Sequence, residues 1–285
     1  MSKRPITVSL LFFLVFPFVF SQIGSEVDNT RFRVAYQFSY KTAATQSEFI
    51  RTHLMLLDIG TTMSKFYSRN GLRRDSIVTA GIARGVPQHE ILEEIRQYRN
   101  AVSKIVYSFW EENTFHTTKN LIERLLYQEP RVRPNWHISG ETREISGYTG
   151  IRATAYYLGR NWIVYFTPEI PIDLGPWKLW GLPGLILEAF DEDNLFSFQF
   201  NGFQVIDSDI PILYITTTAD GRDYRVVSKD AFRRMERMFY ADRMAFVRSF
   251  IMGPESRVIQ TPEQQRNERE MRERGGIPFI PLEPW

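Results

Sequence analysis

Residues 31–40, RFRVAYQFSY, alternate: Phe32, Val34, Tyr36 and Phe38 fall on one side, Arg31, Arg33, Ala35 and Gln37 on the other. A period of two with one apolar face predicts a half-buried β-strand. His53–Ile59 and Met63–Tyr67 predict two further strands, joined by the short turn Gly60-Thr61-Thr62. Between 87 and 105 the period lengthens. Ile91, Leu92, Ile95, Tyr98, Val102 and Ile105 recur at helical spacing, and Pro87 suits a first turn, so this stretch predicts the helix of the first half. Strand patterns resume near Val106 and run to about Val227, most clearly at Glu141–Ile145, Ile151–Leu158, Trp162–Thr167, Leu185–Phe190, Phe196–Val205, Ile212–Thr217 and Tyr224–Val227. The breaks at Gly147, Gly159-Arg160-Asn161, Gly202 and Gly221 favour antiparallel hairpins over βαβ units.

After Ser228, a good N-cap, Phe232, Met235, Met238, Phe239, Ala245, Phe246 and Phe250 form the apolar stripe of a helix over Lys229–Phe250, stopped by Gly253-Pro254. Thr261-Pro262 opens a second helix, polar nearly all round, that runs to Arg274 and ends at Gly275-Gly276. The chain closes on IPFIPLEPW, an apolar, proline-spaced tail that suits either docking on the domain or binding a partner. The pattern predicts an α+β protein: a large curved, mainly antiparallel sheet or partial barrel, with one helix in the first half and C-terminal helices packed on it. One β-rich domain over 22–252 is expected, followed by a polar helix and proline-rich tail over 253–285.

The N-terminus stands apart. Lys3 and Arg4 precede the apolar run Val8–Phe20, and Val19-Phe20-Ser21 offers a cleavage site, so residues 1–21 read as a secretory signal peptide cut between Ser21 and Gln22. The run is shorter than the ~20 residues of a membrane-crossing helix, and no later stretch reaches that length. Removing the segment takes Lys3 and Arg4 from a chain of net charge +2, leaving a neutral mature protein in the periplasm or outside the cell. No strong field points to nucleic acid. The chain has no cysteine, which excludes disulfides, thiolate catalysis and a lipid anchor on cysteine.

The phrase G-L-P-G-L-I, Gly181, Leu182, Pro183, Gly184, Leu185 and Ile186, is not a phosphate loop. Pro183 lacks an N–H, no Lys-Ser/Thr follows, and the next residues read as strand rather than helix. Pro183-Gly184 instead suits a type II turn, with Gly184 at positive φ. The strand it feeds is apolar on both faces except for Glu188, which therefore needs a partner; Arg152 and Arg160 are the candidates.

This phrase, with Gly147-Tyr148, Arg152-Ala153, Gly159-Arg160, Trp162, Phe166-Thr167, Ile170-Pro171 and Gly175-Pro176 before it, resembles the GLPGLI family. The resemblance covers about residues 136–190. It implies an exported protein of Bacteroidota and kinship of fold, and it implies no reaction. Many members of that family carry cysteine two residues after the Gly-Tyr, where this chain has Gly150, so no role of that cysteine transfers.

The four histidines, His53, His89, His116 and His137, form no dense ligand pattern, and no Gly-x-Ser-x-Gly elbow is present. Asp191-Glu192-Asp193 reads as a solvated turn. No catalytic set, metal or cofactor is expected. The weak candidates for ligand contact are Arg160, Trp162, Trp177, Trp180 and Glu188. The expected role is a non-catalytic envelope protein that binds an apolar or amphipathic ligand or an outer-membrane protein partner. The alternatives are a carboxylate-dependent hydrolase using Glu188 or Glu169, and a structural or assembly factor.

Overall fold

A computed structural model describes residues 25–48, 51–98, 101–217, 223–252, 261–273, 276–277 and 279–284. The expected signal peptide and its Ser21/Gln22 cleavage position, Gly221, the Gly253-Pro254 stop, Arg274 and Gly275 lie outside those residues.

The elements in chain order are β1 (Ser25–Asn29), β2 (Phe32–Tyr40), β3 (Arg51–Ile59), β4 (Met63–Ser68), α1 (Arg69–Ala83), α2 (Gln88–Glu94), β5 (Ile105–Phe109), β6 (Thr114–Asn120) and β7 (Arg124–Pro130). There follow β8 (His137–Ile145), β9 (Tyr148–Tyr157), β10 (Arg160–Thr167), β11 (Leu185–Asp191), β12 (Phe196–Val205), β13 (Pro211–Tyr214), β14 (Arg225–Val226), α3 (Lys229–Ala241), α4 (Arg243–Phe246) and α5 (Pro262–Glu273). Among the described residues, 12 strands form one sheet in the order β14-β7-β6-β5-β4-β3-β2-β12-β11-β10-β9-β8. Every pairing is antiparallel except the short β14–β7 contact at one end. β1 and β13 pair separately. The fold is thus α+β, with a large antiparallel sheet, early helices and C-terminal helices packed against it.

The alternation in β2 does what its pattern requires: Val34, Tyr36 and Phe38 are buried in the main core, and Gln37 is exposed. The Gly60-Thr61-Thr62 turn is held from outside, by Asp28 Oδ2 accepting from the Thr61 and Thr62 N–H groups at 2.6 and 2.7 Å. Those hydrogen bonds outweigh the cost of burial and hold the Asp28 carboxyl below its ordinary value.

The first-half helix departs from expectation. The predicted helix over 87–105 is only α2 and a 3₁₀ turn, Ile95–Tyr98; Ile105 already opens β5. The longer helix is α1, which the sequence hides behind Gly71 and Gly81. Both glycines are contact points: a Cβ on Gly71 would stand 2.9 Å from the Val102 carbonyl oxygen, and one on Gly81 2.7 Å from the Ile91 side chain. Close packing of α1 on its neighbours overrides the poor helix propensity of glycine. The long helix of the second half departs too. The predicted helix over Lys229–Phe250 is cut at Asp242, whose carboxylate caps the Met244 and Ala245 N–H groups at 3.0 and 2.9 Å and starts α4.

The segment 168–184 crosses the sheet and buries Ile170, Leu174, Trp177, Leu179 and Leu182 in the main core. At its end the expected type II turn is a tighter three-residue turn: the Gly184 N–H donates to the Leu182 carbonyl at 2.8 Å, with Pro183 at the apex. Gly184 has φ +149, and a Cβ there would stand 2.0 Å from the Thr167 carbonyl oxygen, so the glycine is needed for backbone approach as well as for its dihedral. The register of β11 against β10 slips between Tyr165 and Phe166, leaving Leu187 as an extra residue, so Leu185, Ile186 and Leu187 are all buried while Glu188 and Phe190 are half-buried, and the expected coverage on both faces stops at Leu187.

Candidate functional site

The residues that the sequence offered for ligand contact do not converge. Trp162 is 0% exposed, and it packs on Trp177 and Phe198 at ring separations of 5.6 and 6.2 Å. Both tryptophans are core. Trp180 is half-buried beneath the Arg131 guanidinium, 3.6 Å from its ring, and its carbonyl accepts from Trp136 Nε1 at 2.8 Å. Beside it a depression of about 340 Å³ is lined by Arg133, Trp136, Ile138 and the Gly181-Leu182-Pro183 turn. Nε and Nη2 of Arg133 donate there to the Gly181 carbonyl.

Glu188 has neither expected partner. It pairs with Arg143 of β8, with 21% and 42% of the two side chains exposed, so the pair stands on the sheet surface rather than in the core. The slip at Leu187 is what turns Glu188 outward. Arg143 lies 3.8 Å over the Tyr165 ring, Tyr165 donates to Glu141 at 2.9 Å, and Glu141 meets Arg152 at 3.5 Å. The result is a surface ladder of mutually neutralised charges across β8, β9, β10 and β11. Glu169 accepts from the Thr149 N–H at 2.7 Å. Both acids of the hydrolase alternative are thus engaged by the protein itself.

Arg160 is the one candidate that does structural work at a larger scale. Its Nη1 donates to Asp191 Oδ2 at 2.9 Å, while Nε and Nη2 donate to the Leu282 and Pro281 carbonyls at 2.9 and 2.7 Å. Asp191 is not the solvated turn residue its neighbours suggest. It is 1% exposed, and its other oxygen accepts the N–H groups of Leu195 and Phe196 at 2.8 and 2.7 Å. One arginine therefore ties the β11–β12 corner to the C-terminal tail, which docks on the domain.

Docking drives Glu283 into a cage. Its carboxylate meets Lys178 at 2.5 Å and Lys229 at 2.8 Å, with Arg233 at 3.7 Å. Lys178, fully buried, also bonds Glu129 and the Tyr127 hydroxyl. Burial works against the Lys178 cation, but Glu283, Tyr127 and Glu129 outweigh it and hold its pKa well above the ordinary value. Glu283 is correspondingly held well below its own, since Lys178 and Lys229 overcome its burial.

Next to this cage lies a cavity of about 150 Å³. Phe38 and Tyr40 of β2 and Phe196 of β12 form its aromatic wall, with Phe38 and Tyr40 stacked at 5.2 Å. Phe279, Ile280 and Leu282 of the tail cover it, and Phe279 stacks on Tyr240 of α3 at 3.7 Å. Lys104, in the stretch before β5, and Lys119 of β6 are among its lining residues. They share one carboxylate, Glu236 of α3: Lys119 bonds it directly, and Lys104 stands 3.7 Å from it, beyond hydrogen-bonding range. Burial pushes the Lys104 pKa below lysine's ordinary value; Glu236 pulls the other way, and the like charge of Lys119 adds to the depression. Burial works to raise Glu236, but the two lysines outweigh it and hold it below the usual carboxylate range.

None of these pocket residues stood out in the sequence. Glu236 carried the best signal, an acid four residues after Phe232 on the buried side of α3. Lys178, inside the apolar run Trp177–Trp180, carried another. Lys104 was hidden by the expectation of a helix through residue 105.

Among the described residues no group of three or more His, Asp or Glu side chains could hold a metal ion, and no helix is long and apolar enough to cross a membrane. Residues 160–188, which span the Arg160 corner, β10, the crossing segment and the whole G-L-P-G-L-I phrase, match a family described as "Protein of unknown function (Porph_ging)". No curated protein sequence matches the chain. Two crystal forms of PNGF-II, in space groups P21 and C2, are similar at 12% and 11% identity, with TM-scores of 0.47 and 0.46 over 72% of this chain. The chain spans about a third of the length of those structures, 33% and 32%. A likeness of that depth carries no functional argument.

Proposed function

We propose that this is an exported, non-catalytic binding protein of the bacterial cell envelope, of the GLPGLI type, that holds a small amphipathic ligand under its C-terminal tail. The observation that carries the reading is the cavity between β2, β12, α3 and the tail, where an aromatic wall faces two lysines sharing one carboxylate. Binding sites for small molecules combine an apolar wall with a few placed polar groups in this way. The charged start and apolar run of residues 1–21 support export, and the phrase Gly181–Ile186 supports kinship with GLPGLI proteins.

The test is recovery of the protein from its native envelope, followed by native mass spectrometry. The expected result is a mature chain beginning at Gln22 with a co-purifying small molecule. That molecule should be lost from an Ile280→Trp variant, in which the added ring fills the cavity. Recovery of a ligand-free chain that retains Met1 would overturn both parts of the reading.

A further inference from the structure

We infer that the ligand is a small monocarboxylate, with one aromatic ring or a short acyl chain against Phe38, Tyr40 and Phe196 and its carboxylate on the Lys104 ammonium. The inference rests on the reading of this cavity as a ligand site and specifies what enters it.

Charge gives the sign. Lys104, Lys119 and Glu236 leave one positive charge uncompensated beside the aromatic wall of the cavity. The adjoining Lys178 cage does not supply the missing anion, because Glu129 and Glu283 are bonded to Lys178 and Lys229. A buried cation without a bonded counter-charge is costly, so an arriving anion gains most at this point. Lys119 is already bonded to Glu236 and to the Tyr240 hydroxyl at 3.2 Å, which singles out Lys104 as the free end. Its depressed pKa agrees with that assignment.

The same count limits the head group. One negative charge neutralises the set, and a dianion such as a phosphate monoester would overshoot it. Size limits the tail of the ligand. The volume of about 150 Å³ equals that of an engineered apolar cavity in another protein that accommodates benzene, about 150 Å³. One ring or about six carbons fill that volume.

Calorimetric titration of the intact mature protein decides it, with phenylacetate and hexanoate as monoanions, 2-phenylethanol and hexanol as neutral counterparts, and phenyl phosphate as the dianion. The acids are expected to bind at least tenfold more tightly than the alcohols and than phenyl phosphate. Lys104→Met should erase the preference for the acid while alcohol binding persists, and Lys104→Arg should keep it. Equal binding of acid and alcohol by the wild-type protein overturns the carboxylate inference and leaves the cavity reading standing. Binding of no member of the series overturns both. The wild-type series is decisive even where a variant fails to fold.

Discussion

Lys178 and Lys104 are two lysines withdrawn from water a short distance apart, and the fold treats them in opposite ways. Lys178 is fully enclosed with two carboxylates and a tyrosine hydroxyl around its ammonium, and its cation is stabilised far beyond lysine's ordinary range. Lys104 keeps 16% of its side chain exposed, shares a single carboxylate at 3.7 Å, and has its cation destabilised. A buried charge surrounded by counter-charges closes a structure; here it clamps the tail through Glu283. A buried charge left short of counter-charge, beside an open volume, creates a demand that a ligand can meet.

The largest test of this contrast is Lys178→Met. It removes the buried counter-charge that Glu129 and Glu283 share and leaves them to Lys229 in a nearly dry site, and breaking a buried pair costs about 3–5 kcal/mol. Urea unfolding should show that loss. Hydrogen exchange should show the tail around residues 279–284 opening first. A variant as stable as the parent would mean that the cage is ornamental.

A third buried lysine separates burial from pairing. Lys65 donates to the Leu213 carbonyl at 3.2 Å, and burial pushes its pKa down to about 8, with Asp58 and Asp75 pulling the other way. The folded value lies below the unfolded one, so the unfolded chain binds more protons and stability rises with pH between them. Relative to Lys65→Met, the wild-type protein should gain about 2 kcal/mol between pH 8 and about pH 9.5. Buried Tyr36, Tyr67 and Tyr107, all with raised pKa values, set an opposing loss above about pH 10 that both proteins share. A constant difference across that range would remove Lys65 from the comparison.

Lys104→Met should change stability by less than about 1 kcal/mol, or raise it, because it removes a desolvated cation and leaves Glu236 paired with Lys119. A loss as large as that of Lys178→Met would show that Lys104 belongs to the closing scaffold. Smallest of all, Glu188→Gln should cost about 0–1 kcal/mol, as for other surface pairs, and less still at high salt. Thermal unfolding at two salt concentrations reads both effects.

Much of the sheet was legible along the chain. β2, β10, β11 and β12 stand where period-two alternation or an unbroken apolar run placed them, because a strand's side chains meet the core through local spacing alone. α1 was not legible. Gly71 and Gly81 look like helix breakers, and only the contacts with Val102 and Ile91 make them assets. The reading of Glu188 failed for a related reason: a one-residue slip at Leu187 re-aims every later side chain on the strand, and nothing local announces it.

The sequence by itself determined the class of fold, the strand that follows the Pro183-Gly184 turn, and the absence of cysteine chemistry. It did so because periodicity, turn residues and composition are local properties. Only the tertiary structure decided which charges share a site. Lys104, Lys119, Glu236 and the tail residues come from separate segments of the chain, and no spacing rule links them. Electrostatic energy depends on distances through space and on the exclusion of water, and both exist only once the sheet, α3 and the tail have come together.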